Sequence, residues 1–214
     1  MADDLMNAYQ QEQLEALLMI RQRLQNLDAF KTDPLAAMLG EYHEFRSRTA
    51  DFLETRFGGI CTEKCYRDRR SACCSKDGII TFFADMVINA LAAGAGGLER
   101  MESAIRRPPS EVKCIYLSES GCVWRIKPIV CEFFLCDEAE KQVFANDPEA
   151  QRQWEELKVL KNSFTWPDRP VLFEAVESVF IDRGCRSSLM YLHTSPGLVR
   201  LKRLRNARAD TRPA

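Results

Sequence analysis

Apolar positions recur with helical spacing over most of the chain. Between residues 5 and 27, Leu17, Ile20, Leu24 and Leu27 follow one another at steps of three, four and three, which lines one face of an α-helix. That face is expected to pack on the body of the protein or on a protein partner. Asp33 and Pro34 form an N-cap and first-turn pair, the usual opening of a helix. Leu35, Met38, Leu39, Tyr42, Phe45, Thr49, Phe52 and Leu53 continue from it as a second amphipathic helix, expected to end at Gly58-Gly59. Thr81 is placed to cap a third helix, with Phe82, Phe83, Met86, Val87, Ala90 and Leu91 on its buried face. The Gly-Ala-Gly-Gly at 94–97 should break it, and a short helix then runs to Arg107 before Pro108-Pro109.

Residues 112–126, VKCIYLSESGCVWRI, have the β-branched and aromatic content of two strands around a Ser-Glu-Ser-Gly turn. Pro128 opens a helix through Cys131 and Phe134, and further helices are expected at about 148–163, 170–183 and 196–207. Gly184 and Ser195-Pro196 punctuate the last two. The pattern predicts a mainly α fold: a helical, bundle-like body with a cysteine-rich loop and one small β-hairpin. Residues 1–30 read as a helical extension, 31–145 as a helical core holding a cysteine module at 57–136, and 146–214 as C-terminal helices on the same body.

Charge and composition remove some functions. Thirty basic residues against thirty-one acidic give a formal charge of -1, so nucleic acid is not an expected partner. The most apolar stretch, 79–98, contains Asp85 and Asn89, and no membrane span is expected. The acidic start, MADDLMNAYQQEQ, differs from the basic start of a signal peptide, so a cytoplasmic location is expected.

Cysteine changes the picture most. Eight of the nine cysteines, Cys61, Cys65, Cys73, Cys74, Cys114, Cys122, Cys131 and Cys136, fall within 61–136. Cytosolic thiols are kept reduced, and an odd total fits a disulfide framework poorly, so the cluster points to metal. An all-thiolate set is soft and favours zinc, an iron–sulfur cluster or copper(I) over magnesium or calcium. Zinc and iron–sulfur both remain open, as do two four-ligand sites, one site plus a redox pair, or one site with spare thiols. The loop CTEKCYRDRRSACC has no apolar periodicity, and bound metal would order it. Cys185, His43 and His193 read as structural, and the basic end of the chain as a solvated helix. The glycines at 94–97 follow a helix and not a strand, which is not the setting of a phosphate loop.

Spacing adds a geometric expectation. If Glu119-Ser120-Gly121 forms a three-residue loop with Gly121 in the left-handed bulge position, Cys114 and Cys122 share one face of a hairpin. They then stand roughly 13 Å apart at about 3.3 Å per residue. Two thiolates on one zinc are separated by at most about 4.6 Å. Regular strands therefore imply two metal centres, or one that omits Cys114. Cys131 and Cys136 converge only if their helix ends near Phe134, whereas Cys61 and Cys65 at i and i+4 face the same way.

The same cysteines carry a resemblance. Cys61, Cys65 and the Cys73-Cys74 pair, Ile80-Thr81 with Asp85, Cys114-Ile115-Tyr116-Leu117, Gly121-Cys122, and Lys127-Pro128 ahead of Cys131 resemble, in that order, the motifs of the YkgJ-like cysteine-cluster proteins. The resemblance covers 57–136. The opening motif is stretched relative to that family's C-x2-C-x2-C-C, Lys127 stands where Arg is usual, and Glu132 where Arg is common. The family is described as zinc- or iron-chelating and shares weak similarity with flagellin lysine methylases. The resemblance thus implies metal binding. It allows, as an alternative, iron–sulfur-assisted methyl transfer to a protein lysine, and metal delivery or storage is a third reading. No acid–base pair or nucleophile beyond the thiols stands out in the chain.

Overall fold

The computed structural model describes residues 6–24, 33–63, 79–108, 114–118, 121–165, 171–200 and 204. The fold is mainly α with one small antiparallel hairpin. In chain order it comprises α1 (Ala8–Leu24), α2 (Asp33–Ile60), α3 (Phe83–Ile105), β1 (Leu117–Ser118), β2 (Gly121–Cys122), α4 (Ile129–Glu132), α5 (Asp137–Phe144), α6 (Pro148–Thr165), α7 (Leu172–Ile181) and α8 (Tyr191–Thr194). Residues 196–200 are also helical. The expected ends at Leu5 and Leu27, and the chain from 201 to 207 apart from Leu204, lie outside the described residues.

Helix α3 is central, with α1 along one side and α7 along another, while α2 packs on α5, α6 and α7. The apolar face of α1 is therefore used inside the chain, where Leu14, Ala16, Leu17 and Ile20 are buried. Two glutamines share that face, and each has a specific partner in place of water. Gln10 Nε2 donates to the carbonyls of Ile105 at 2.6 Å and Arg107 at 2.7 Å, covering orphan acceptors at the end of α3. Gln13 faces the cysteine segments described below.

The core of the second layer is aromatic. Phe45 stacks on Phe164 and Phe133, Phe133 stacks on Trp154, and Trp154 stacks on Phe52, with centroids 4.9–5.8 Å apart. This ladder clamps α2, α6 and the chain after α4. Helix α2 ends at Ile60, directly after the expected Gly58-Gly59, but not through a left-handed glycine. A glycine stops a helix by taking a left-handed conformation. The glycines with positive φ among the described residues are Gly94, Gly121 and Gly184. Phe57, 1% exposed and edge-on to Phe144, instead pins the last turn of α2 in helical form.

The break at 94–97 is real and has one cause. Gly94 has φ 63 and ψ -177, a region that only glycine occupies without strain. Phe82, not Thr81, is the N-cap of α3, and its amide donates to Asp85 Oδ2 at 3.2 Å. Gly94→Ala should lower stability by about 1–3 kcal/mol in urea titration. Gly96→Ala should cost nothing, because an added Cβ there meets only Arg100 Nη1 at 3.8 Å. Equal effects of the two would show that Gly94 is not strained. Helix α5 was not expected from the pattern; its signal is Asp137, Glu138 and Glu140 in the first turn.

Candidate metal centre

Five of the eight candidate ligands are described: Cys122 in β2 and Cys131 in α4, and Cys61, Cys114 and Cys136 at turns or helix ends. Cys61 follows α2 in a π-helical turn at 61–63, a form frequent at functional sites. Cys65, Cys73 and Cys74 lie outside the described residues. Cys114 is buried, Cys122 is exposed, and Cys131 and Cys136 are intermediate. None of Cys61, Cys114, Cys122 and Cys131 is without a partner.

The premise of regular strands does not hold. The Leu117 amide donates to the Cys114 carbonyl at 3.0 Å, so 114–117 is a turn and Cys114 is not on a strand. Such a turn brings its end Cα atoms within about 7 Å. Leu117 in turn pairs directly with Cys122, and Ser118 with Gly121. The hairpin loop is thus two residues long and not three, and Cys122 faces Leu117 instead of Ser118. Gly121 does carry the positive φ, 106. The expectation that Cys114 is excluded by distance loses its basis. The second condition is met: α4 ends at Glu132 with Phe133 as its C-cap, and Cys136 becomes the N-cap of α5.

Side chains from three helices hold these segments. Asp85 Oδ1 accepts the Ile129 amide at 3.0 Å, and Asn89 Oδ1, one turn on, accepts the amides of Arg125 at 2.8 Å and Ile126 at 2.9 Å. Helix α3 therefore fixes the chain from just after Cys122 to just before Cys131. On the α1 side, Gln13 Oε1 accepts from Tyr116 Oη at 2.8 Å and Thr81 Oγ1 at 2.9 Å. Tyr9 Oη accepts the Ile79 amide at 3.3 Å. From α2, Arg46 donates to the Lys127 carbonyl at 2.7 Å and pairs with Glu132.

Three of the cysteines act electrostatically on the buried hydroxyl of Tyr116. Burial pushes the Tyr116 hydroxyl well above its usual range, and Tyr9, Cys114, Cys122 and Cys131 push it further. Burial also raises Tyr9, opposed by the Ile79 N–H and reinforced by Cys114 and Cys131. Among the described residues, however, no three of His, Cys, Asp and Glu are grouped so as to hold a metal ion.

Residues outside the cluster take the places expected of them. Cys185 is 6% exposed within the apolar core. His193 Nε2 shares a 2.7 Å hydrogen bond with Ser178 Oγ, and His43 is exposed. The positioning residues Tyr9, Gln13, Arg46, Asn89 and Tyr116 were not singled out from the sequence. Their signal is polarity at helical positions that should be apolar: Gln13 on the face of Leu17, Arg46 one turn after Tyr42, Asn89 one turn after Asp85. Among the described residues no helix is long and apolar enough to cross a membrane. Comparison of the chain with family models, curated proteins and solved structures finds no match.

Proposed function

We propose that the protein binds zinc or an iron–sulfur cluster through cysteine thiolates, drawing on Cys61, Cys65, Cys73, Cys74, Cys114, Cys122, Cys131 and Cys136. This reading is supported by the density of cysteines over 61–136 and by the electrostatic influence of Cys114, Cys122 and Cys131, from separate stretches of chain, on the buried hydroxyl of Tyr116. Apolar packing alone does not call for that arrangement. It is held by a turn at Cys114, an early stop of α4, and side-chain bonds from Gln13, Asp85 and Asn89. Thiolates brought together without a cation would repel one another, and a soft metal removes that cost.

The test is anaerobic purification followed by metal analysis and an absorption spectrum. A brown protein with a broad band near 400 nm and acid-labile sulfide selects iron–sulfur, and a colourless one with stoichiometric zinc selects zinc. Cys131→Ser replaces a thiolate by a hydroxyl that stays protonated at neutral pH, so metal per chain should fall by at least half. Cys185→Ser should leave it unchanged. Purified protein without metal, or full retention by the Cys131 variant, would overturn the assignment. Heat released on titration with S-adenosylmethionine would favour the methylase alternative.

A further inference from the structure

A groove of about 1130 Å³ runs between the second half of α3, after the Gly94 break, and the hairpin. Arg100, Arg107 and Arg125 line it, against a single carboxylate, Glu99. In a chain whose formal charge is -1, this concentrates positive charge in one concave place. Arg100 lies on α3, and Arg107 follows two residues after its end at Ile105; both line the groove. Arg125 reaches the groove from the opposite wall, its backbone anchored by Asn89. Among the described residues, no carboxylate pairs with any of these three arginines. Arg107 spends one N–H on the Ile115 carbonyl at 3.0 Å, and a guanidinium has five. The side chains of Arg100 and Arg125 have no acceptor among the described residues.

Two more features belong to the same walls. Gly96 and Gly97, in the first turn after the break, line the groove, where the absence of side chains lets a ligand approach the backbone at the start of a helical segment. Trp124, also in the wall, is 4% exposed, and its indole N–H has no acceptor among the described residues. A buried donor left unmet in this way calls for an explanation.

We propose that this groove binds a phosphate-bearing small molecule of up to nucleotide size. Guanidinium forks match phosphate oxygens in pairs, three of them offset a doubly charged group, and the volume exceeds what inorganic phosphate alone would fill. The exposed Cys122 lines the same groove, so the ligand would lie against the cysteine cluster. The proposal does not depend on the cluster holding metal.

Calorimetric titration of the full-length protein with ADP, pyrophosphate and, as the non-specific anion, sulfate tests it. ADP or pyrophosphate should bind saturably and more tightly than sulfate. Arg100→Gln and Arg125→Gln should each weaken that binding about tenfold or more, the effect of losing a charge-assisted hydrogen bond. Arg152→Gln should not change it, because Arg152 is engaged with Glu149 and Glu156 on α6. Circular dichroism on each variant separates loss of binding from loss of fold, since all three positions are exposed. Absence of saturable binding to ADP and pyrophosphate, equal affinity for sulfate, or indifference to both groove variants would overturn the proposal.

Discussion

Arg46→Met should destabilise the protein by about 3–5 kcal/mol, the penalty for stranding one partner of a buried ion pair. Arg46 is 5% exposed. Its guanidinium pairs with Glu132, whose side chain is 10% exposed, donates to Tyr42 Oη at 2.7 Å, and donates to the Lys127 carbonyl at 2.7 Å. Methionine fills similar volume but leaves the Glu132 carboxylate without a cation and the Lys127 carbonyl without that donor. Removing both charges should cost far less, because a buried pair contributes little net free energy over apolar side chains of similar size. In urea titration, Arg46→Met with Glu132→Met is therefore expected to recover most of the loss. A single-variant effect below about 1 kcal/mol would mean that water reaches Glu132. Additive losses in the double variant would mean that Arg46 acts through Tyr42 and Lys127 and not through the pair.

The placement of Arg46 shows what the sequence could and could not convey. Helix periodicity is local, so stripes such as Leu17 and Ile20 in α1, or Phe83, Met86, Val87 and Ala90 in α3, were readable residue by residue. Gly58-Gly59 marked the end of α2 to within one residue, although neither takes the left-handed turn that makes glycine a stop signal; there Phe57 packs edge-on against Phe144, 87 positions away along the chain. Helix α5 was hidden because Cys136 is not a capping residue by type.

The density of cysteines at the candidate site was plain, but the placement of the described ones was not. It rests on bonds that join Gln13 to Tyr116 across 103 residues, Asp85 to Ile129 across 44 and Asn89 to Arg125 across 36. Each places a polar side chain on a distant backbone or hydroxyl group, and spacing within a motif carries no trace of that. The hairpin failed for a related reason. Its composition predicts strands, whereas the turn at 114–117 takes Cys114 out of the ladder before the ladder begins. The break at the Gly-Ala-Gly-Gly run was legible, but the arginines that follow it come together only when α3 lies against the segment after β2.

Asp85 should make the protein lose stability as the pH rises from about 4 to about 7. Its carboxylate is buried, and burial raises its pKa from 3.8 to about 7 even though the Ile129 N–H, Arg46 and the Phe82 N–H all favour the charged form. In the unfolded chain the group releases its proton near 3.8. Between the two values the native state binds more protons than the unfolded one, so stability falls with pH in that window and is flat above it. A shift of this size corresponds to about 4 kcal/mol, at about 1.36 kcal/mol per pH unit. Other groups titrate in the same range, so the measurement is the difference between wild type and Asp85→Asn in urea titrations from pH 4 to pH 8. Asparagine keeps an acceptor oxygen for one of the two amides, Ile129 at Oδ1 or Phe82 at Oδ2, and does not titrate, so the bond it loses shifts the difference by a constant and leaves its pH dependence to Asp85. The stability of wild type minus that of the variant should therefore fall steadily up to pH 7 and then level off. A flat difference would show that Asp85 does not change its ionisation on folding. A difference that rises with pH would show that Arg46 and the two amides outweigh burial, and that Asp85 is held as a carboxylate where α3 meets the segment leading to Cys131.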